Sequence, residues 1–261
     1  MIAFGIASEV ALYEFRFYSV APGRMASELA LVYDMAINGA PDVPGGPPVH
    51  RESLWERYGI PKPVGSWTAL SGSRLPAFLY IIKWDSLTQR DERFPRFWAD
   101  PFWQARRAAL TDGMTLVDSI ENWLLDPSPA WMTVREDDVS QPVSGVHELR
   151  VQHILNGSQG DAAKILGEVD LPSLKSLGAR ILGVFEMVIG PERPTFVTML
   201  AWPDIETHQR AWLEMDRNET VIVQRQTERM RYGRRLFGKV DQYLLEPTPW
   251  NTPLANFGAS R

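Results

Sequence analysis

The chain has 261 residues, 44% hydrophobic and 11% aromatic, enough for one large or two ordinary domains with substantial cores. Its formal net charge is -5 with a pI near 5.5. That sign is wrong for neutralising a phosphate backbone or an anionic lipid surface, so neither nucleic acid nor a membrane is expected as a partner. The absence of cysteine excludes disulfides, thiolate nucleophiles and cysteine-ligated metals, and suits a reducing cytoplasm.

The apolar start, Met1 to Ala7, has no basic region before it, and Glu9 and Glu14 argue against a transit peptide. The longest apolar run, Ala77 to Ile82, is too short to cross a bilayer. A soluble, cytoplasmic protein is expected. An alternating aromatic strand is predicted from Leu12 to Tyr18, and Pro22-Gly23 then turns the chain into a helix with Met25, Leu29, Val32, Tyr33 and Ala36 at helical spacing. The segment Asn38 to His50 holds Pro41, Pro44, Gly45, Gly46, Pro47 and Pro48 and reads as a surface loop or a lid. Strands fit Val64 to Leu70 and Ala77 to Trp84, with Gly72 in the turn between them. Ser86 caps a helix from Leu87, Asp100-Pro101 starts another, and a last strand runs from about Thr115 to Leu125.

The same course then recurs. Leu12-Tyr13-Glu14-Phe15-Arg16 returns as Val146-His147-Glu148-Leu149-Arg150, and Asn122 to Pro127 returns as Gln242 to Pro247. The offset is 134 residues at the first strand and 118 at the third (Trp84 against Trp202), so the first copy holds about 16 extra residues, placed at Asn38 to His50. A period this long means two copies of a whole domain, since solenoid units repeat every 20 to 50 residues or so. The expected division is residues 11–127 and 145–247, joined by a linker with Pro127, Pro129, Pro142 and Glu136-Asp137-Asp138. Each copy reads strand, helix, strand, strand, helix, strand: an α+β fold of two tandem ferredoxin-like βαββαβ repeats.

Tyr13-Glu14-Phe15-Arg16 before Pro22-Gly23, the Gly65-Ser66-Trp67 strand, Trp84-Asp85-Ser86-Leu87, Asp100-Pro101-Phe102-Trp103 and the closing strand into Pro127 together resemble the NIPSNAP family of the dimeric α/β-barrel superfamily. The second copy departs from the pattern, with Asn156-Gly157 for the Pro-Gly turn and Asn218-Glu219-Thr220 for the Asp-Pro step. The resemblance implies that each sheet lays one face on its helices and the other toward a second sheet, so that two copies in one chain build a barrel. It raises the expectation of a small-molecule site without naming a reaction.

In the first strand, Tyr13, Phe15 and Phe17 form the apolar set, expected under the helices. Glu14, Arg16 and Tyr18 are then expected to face a shared barrel cavity, with Glu148, Arg150 and Gln152 matching them from the second copy. Tyr80, its counterpart Thr198 and Glu186 fall on the same polar side, the last if Phe185 packs under the helices. The candidate catalytic groups are Glu14, Arg16, Glu148 and Arg150, together with His50, which a lid would deliver. Carboxylate and guanidinium neighbours set whether Glu acts as a base and whether Arg holds an enolate or carboxylate. Tyr18, Tyr80, Gln152, Glu186 and Trp67 are the candidate substrate-binding residues, a tryptophan in the wall favouring a flat ligand. The alternative is a structural ion pair on each strand. His147 reads as packing, and the Arg225 to Arg235 stretch as a solvated helix face.

No phosphate loop, dinucleotide fingerprint, nucleophile elbow or metal-ligand spacing is present, so no cofactor and no metal are expected. The reading is a cofactor-independent lyase-, isomerase- or cyclase-like enzyme of secondary metabolism acting on a small, largely apolar substrate. The alternatives are a non-catalytic binding or adaptor protein with a filled barrel, and a haem protein with His208 as axial ligand. An edge strand in each copy makes a homodimer a reasonable expectation.

Overall fold

The computed structural model describes residues 12–38, 52–134 and 144–250. His50 and the proline-rich stretch before it lie outside them. The first half contains β1 (Leu12–Val20), α1 (Met25–Ala36), α2 (Leu54–Arg57), β2 (Gly65–Ala69), β3 (Ala77–Trp84), α3 (Leu87–Trp98), α4 (Pro101–Thr111) and β4 (Val117–Pro127). A short helix, α5 (Pro129–Val134), follows in the linker. The second half contains β5 (Val146–Ile154), α6 (Gln159–Ile165), a π-helical turn at Leu166–Asp170, α7 (Leu171–Ser176), β6 (Arg180–Ile189), β7 (Thr195–Trp202), α8 (Ile205–Met215), α9 (Glu219–Tyr232) and β8 (Phe237–Pro247).

Local chemistry sets these boundaries. Gly23 and Gly157 end the turns after the first strand of each half at φ 76° and 83°, in the left-handed region where glycine carries no Cβ penalty. Asp100 caps α4 by accepting from the N–H groups of Phe102 (2.8 Å) and Trp103 (3.1 Å), and Asn218 caps α9 through Val221 N–H (3.2 Å). Helix α2, which the sequence reading passed over, opens with a reciprocal capping box between Ser53 and Glu56.

The eight strands close into one barrel in the order β1-β3-β2-β8-β5-β7-β6-β4. Each half contributes a four-stranded antiparallel sheet in ferredoxin-like order. The seams are β2 with β8 and β4 with β6. The edge pairing expected between two molecules thus occurs between the two halves of one chain, where it satisfies the exposed N–H and C=O groups of each sheet.

The sheet faces are opposite to the sequence expectation. Tyr13 and Phe15 point into the barrel, where their ring centroids lie 4.9 and 5.2 Å from Phe185 of β6. Phe17 packs 4.2 Å from Trp123 and 5.9 Å from Tyr243 of β8 across the interior. Trp67 is also inside and fully buried, its Nε1 donating to His147 Nδ1 at 2.9 Å. His147 therefore belongs to the interior and not to the helix layer. Among the described residues the interior is a packed, aromatic-rich core and not the expected shared hollow. Glu14, Arg16, Tyr18 and Tyr80 lie on the outer face beneath α1 to α4, and Glu148, Arg150 and Thr198 lie beneath the helices of the other half.

Candidate active site

A buried ion cluster anchors the outer face of the first sheet. Glu14 Oε1 accepts from Arg16 Nη1 (2.7 Å) and Arg90 Nη2 (2.9 Å), while Oε2 accepts from Trp84 Nε1 (2.9 Å) and Arg90 Nε (3.0 Å). Burial alone would raise this carboxyl's pKa, but these donors and the two positive charges lower it below the ordinary value. Every lone-pair direction of Glu14 is thus engaged, which makes it an orienting anchor and a poor base.

Its role is visible in what Arg16 does next. Arg16 Nε donates to Tyr80 Oη at 2.9 Å, its Nη2 donates to Tyr18 Oη at 3.0 Å, and the two phenol oxygens are 2.8 Å apart. Antiparallel register places Arg16 directly opposite Tyr80, and Tyr18 follows two residues on along the same face. Burial, the largest effect, holds the Tyr80 phenol well above its usual range although Arg16 pulls the other way. A pair of phenols fixed by a guanidinium results.

This pair borders a cavity of about 480 Å³ between the sheet and the helices. Trp55, Phe94, Phe97, Trp98 and Trp103 supply aromatic wall, and Glu28, Gln104 and Arg107 add polar groups. Glu28 is only 2% exposed and borders the cavity from α1. Burial pushes its pKa from 4.5 up to about 7, with Arg107 opposing the shift. Trp55 Nε1 is a buried donor without a partner among the described residues. The buried Trp55 donor is costly unless a ligand or water meets it, and Glu28 presents its carboxyl to the same cavity.

Sequence reading missed Glu28. The predicted apolar stripe of α1 included Met25, Leu29 and Tyr33, but the buried positions are Glu28, Leu31, Val32, Met35 and Ala36. That set has the i, i+3, i+4, i+7, i+8 spacing of one face. A carboxylate heading an otherwise apolar stripe was the available signal.

The second half repeats the anchor with other partners. Glu148 accepts from Arg150 Nη1 (2.9 Å), Trp202 Nε1 (2.9 Å), Trp212 Nε1 (3.1 Å) and Gln242 Nε2 (2.8 Å). His208 Nε2 lies 3.2 Å from the same carboxylate, which ties this histidine into the anchor. Gln152, Thr198 and Arg150 border a separate cavity of about 250 Å³. Arg225 and Arg235 border it too, so the basic stretch expected to be only a solvated face contributes to a pocket. Glu186 lies elsewhere, accepting from Ser128 Oγ at 3.1 Å and lining a third opening beside Met187 and Phe196. Among the expected site residues, the fold therefore gathers Arg16, Tyr18 and Tyr80 around one pocket and Arg150, Gln152 and Thr198 around another. Glu14 and Glu148 stand behind their arginines, and Trp67 and Glu186 lie apart. Among the described residues no cluster of acidic or histidine side chains is arranged to hold a metal ion, and no helix is long and apolar enough to cross a membrane.

No curated protein matches the chain. Among solved structures, a monooxygenase candidate from Fusobacterium nucleatum aligns over 92% of this chain and 94% of its own, at 8% identity and a TM-score of 0.54. A monooxygenase candidate from Lactobacillus acidophilus aligns over the same shares at 8% identity and a TM-score of 0.52. An anthrone oxidase-like protein aligns over 93% of this chain and 94% of its own, at 15% identity and a TM-score of 0.51. Identities this low show the shared fold alone. A family model matches residues 50–130, which run from before α2 through β4 into α5. That family is NIPSNAP, so this stretch of the chain is similar to a NIPSNAP domain and lies within the closed α/β barrel formed by the two halves.

Proposed function

We propose that the chain is a small-molecule enzyme that works by proton transfer in the first-half pocket, with Glu28 as the base and the Tyr18–Tyr80 pair as the anion-stabilising group. The supporting observation is the pairing of opposites in one cavity. A buried carboxyl shares it with two phenols 2.8 Å apart that both accept from a buried guanidinium. A base works best when its pKa lies near the operating pH, and Glu28 at about 7 meets that condition.

The step is proton abstraction from carbon next to a carbonyl, or from a phenol. Glu28 takes the proton, the electron pair moves onto the substrate oxygen, and one hydroxyl of the Tyr18–Tyr80 pair donates to the oxyanion that forms while the other donates to its partner phenol. Arg16 carries the balancing positive charge behind them, and Glu14 with Arg90 fixes Arg16. Return of the proton to another atom gives isomerisation, and loss of a β-substituent gives elimination. The aromatic walls favour a flat, largely apolar substrate. Of the structural neighbours, the anthrone oxidase-like protein is named for a flat aromatic ketone, a compound that such a deprotonation would suit. An adaptor role draws support from the packed barrel interior, yet leaves the outer pocket and its buried acid unexplained.

The test is solvent deuterium incorporation into a panel of anthrones and cyclic aryl ketones, followed by mass spectrometry. Wild-type protein is expected to accelerate exchange in at least one member, and Glu28→Gln to lower that rate about 10²- to 10⁴-fold. No acceleration by wild type, or equal rates in a folded Glu28→Gln variant, overturns the reading.

A further inference from the structure

The two halves place the same arginine at the same point of the same strand and surround it differently. Arg16 sits opposite Tyr80 in the β1–β3 register, and Arg150 sits opposite Thr198 in the β5–β7 register. Arg16 spends Nε and Nη2 on Tyr80 and Tyr18. In the second half those phenols are replaced by Thr198 and Gln152. Arg150 keeps its Nη1 bond to Glu148 at 2.9 Å and stacks 3.8 Å from the Trp212 ring, but among the described residues no group accepts from its Nε or Nη2. Arg225 is in a similar position: Nη1 binds Asp216 at 2.8 Å, while its buried Nε has no partner.

We propose that the second-half pocket is a separate binding site for a small monocarboxylate with an apolar body, held by the free N–H groups of Arg150 and Arg225. The cavity of about 250 Å³ is below the usual ~300–1,000 Å³ of drug-sized sites, which limits the ligand to about one ring or a short chain. Leu174, Leu200, Met215 and Phe237 give it an apolar lining. A planar carboxylate matches guanidinium N–H geometry. Asp170 and Asp216 also border the pocket, and their negative charge selects a singly charged ligand over a phosphate dianion. Asp170 is delivered there by the π-helical turn, an irregularity that often marks functional sites and that α1 in the first half lacks.

Saturation-transfer NMR with benzoate, phenylacetate, cinnamate and hexanoate tests this, with the corresponding amides as neutral controls. At least one acid is expected to bind and its amide not to. Arg225→Gln should weaken binding at least tenfold. Thr198→Tyr, which puts a phenol back beside Arg150 and fills the space, should abolish it, and Glu28→Gln should leave it unchanged because that carboxyl lines the other pocket. Thermal melts establish that each variant is folded. The proposal is overturned if no acid binds wild type, if amides bind equally well, if binding survives both pocket variants, or if it is lost with Glu28→Gln.

Discussion

Glu28→Gln is also expected to stabilise the protein at neutral and alkaline pH. In the unfolded chain this carboxyl titrates near 4.5, and in the folded protein near 7. Below pH 4.5 both states hold the proton and the ionisation has no effect on stability. Between 4.5 and 7 the folded state keeps a proton that the unfolded state has released, so stability falls as pH rises. Above 7 the loss is complete. A gap of about 2.5 pH units at about 1.36 kcal/mol each gives a loss of about 3 kcal/mol, and the 2% exposure of Glu28 means that solvent screens little of it. Glutamine has the same shape and never ionises, so subtracting the variant's stability from the wild type's isolates this one group. Urea denaturation from pH 4 to 8.5 should give a difference curve that declines by about 3 kcal/mol, centred between pH 5 and 7. A flat curve would show that the carboxyl is hydrated or paired in solution, and the assignment of Glu28 as a base would fail with it. The expected gain in stability on removing an active group is the usual signature of a site that trades stability for chemistry.

Four further outcomes follow from the same geometry. Tyr18→Phe combined with Tyr80→Phe should reduce deuterium exchange about 10²- to 10³-fold without loss of fold, since the oxyanion donor and the phenol that orients it disappear while both rings stay. Glu14→Gln leaves Arg16 and Arg90 without their shared carboxylate, and urea denaturation should show a loss of about 3–5 kcal/mol. Phe185→Ala opens a cavity among Tyr13, Phe15 and Trp131 and should cost about 3–5 kcal/mol in the same measurement while leaving ligand binding in both outer pockets intact. Gly145→Ala combines a φ of +100° with a Cβ that would overlap the Trp202 and Pro203 carbonyl oxygens, so its thermal midpoint should fall well below that of the wild type.

The duplication, the strand and helix order and the capping residues were legible in the sequence because each rests on local chemistry. Asp100 before Pro101 caps a helix wherever it stands, and Glu14, Arg16 and Tyr18 share a face because strand side chains alternate. Which face lies inside was not local information. In most sheets one face meets water, so the polar row marks the outside. In this barrel the inner face packs on itself and the outer face packs under helices, and both are dry. Alternation therefore grouped the residues correctly and could not orient the groups. Only closure of the strands put Phe15 against Phe185 from the other half, and only the helix rotation that aligns Leu31, Val32 and Met35 with the sheet brought Glu28 to the phenol pair. Arg150 and Arg225, 75 residues apart in the chain, likewise border one pocket only because α9 packs against the π-helical turn of the second half.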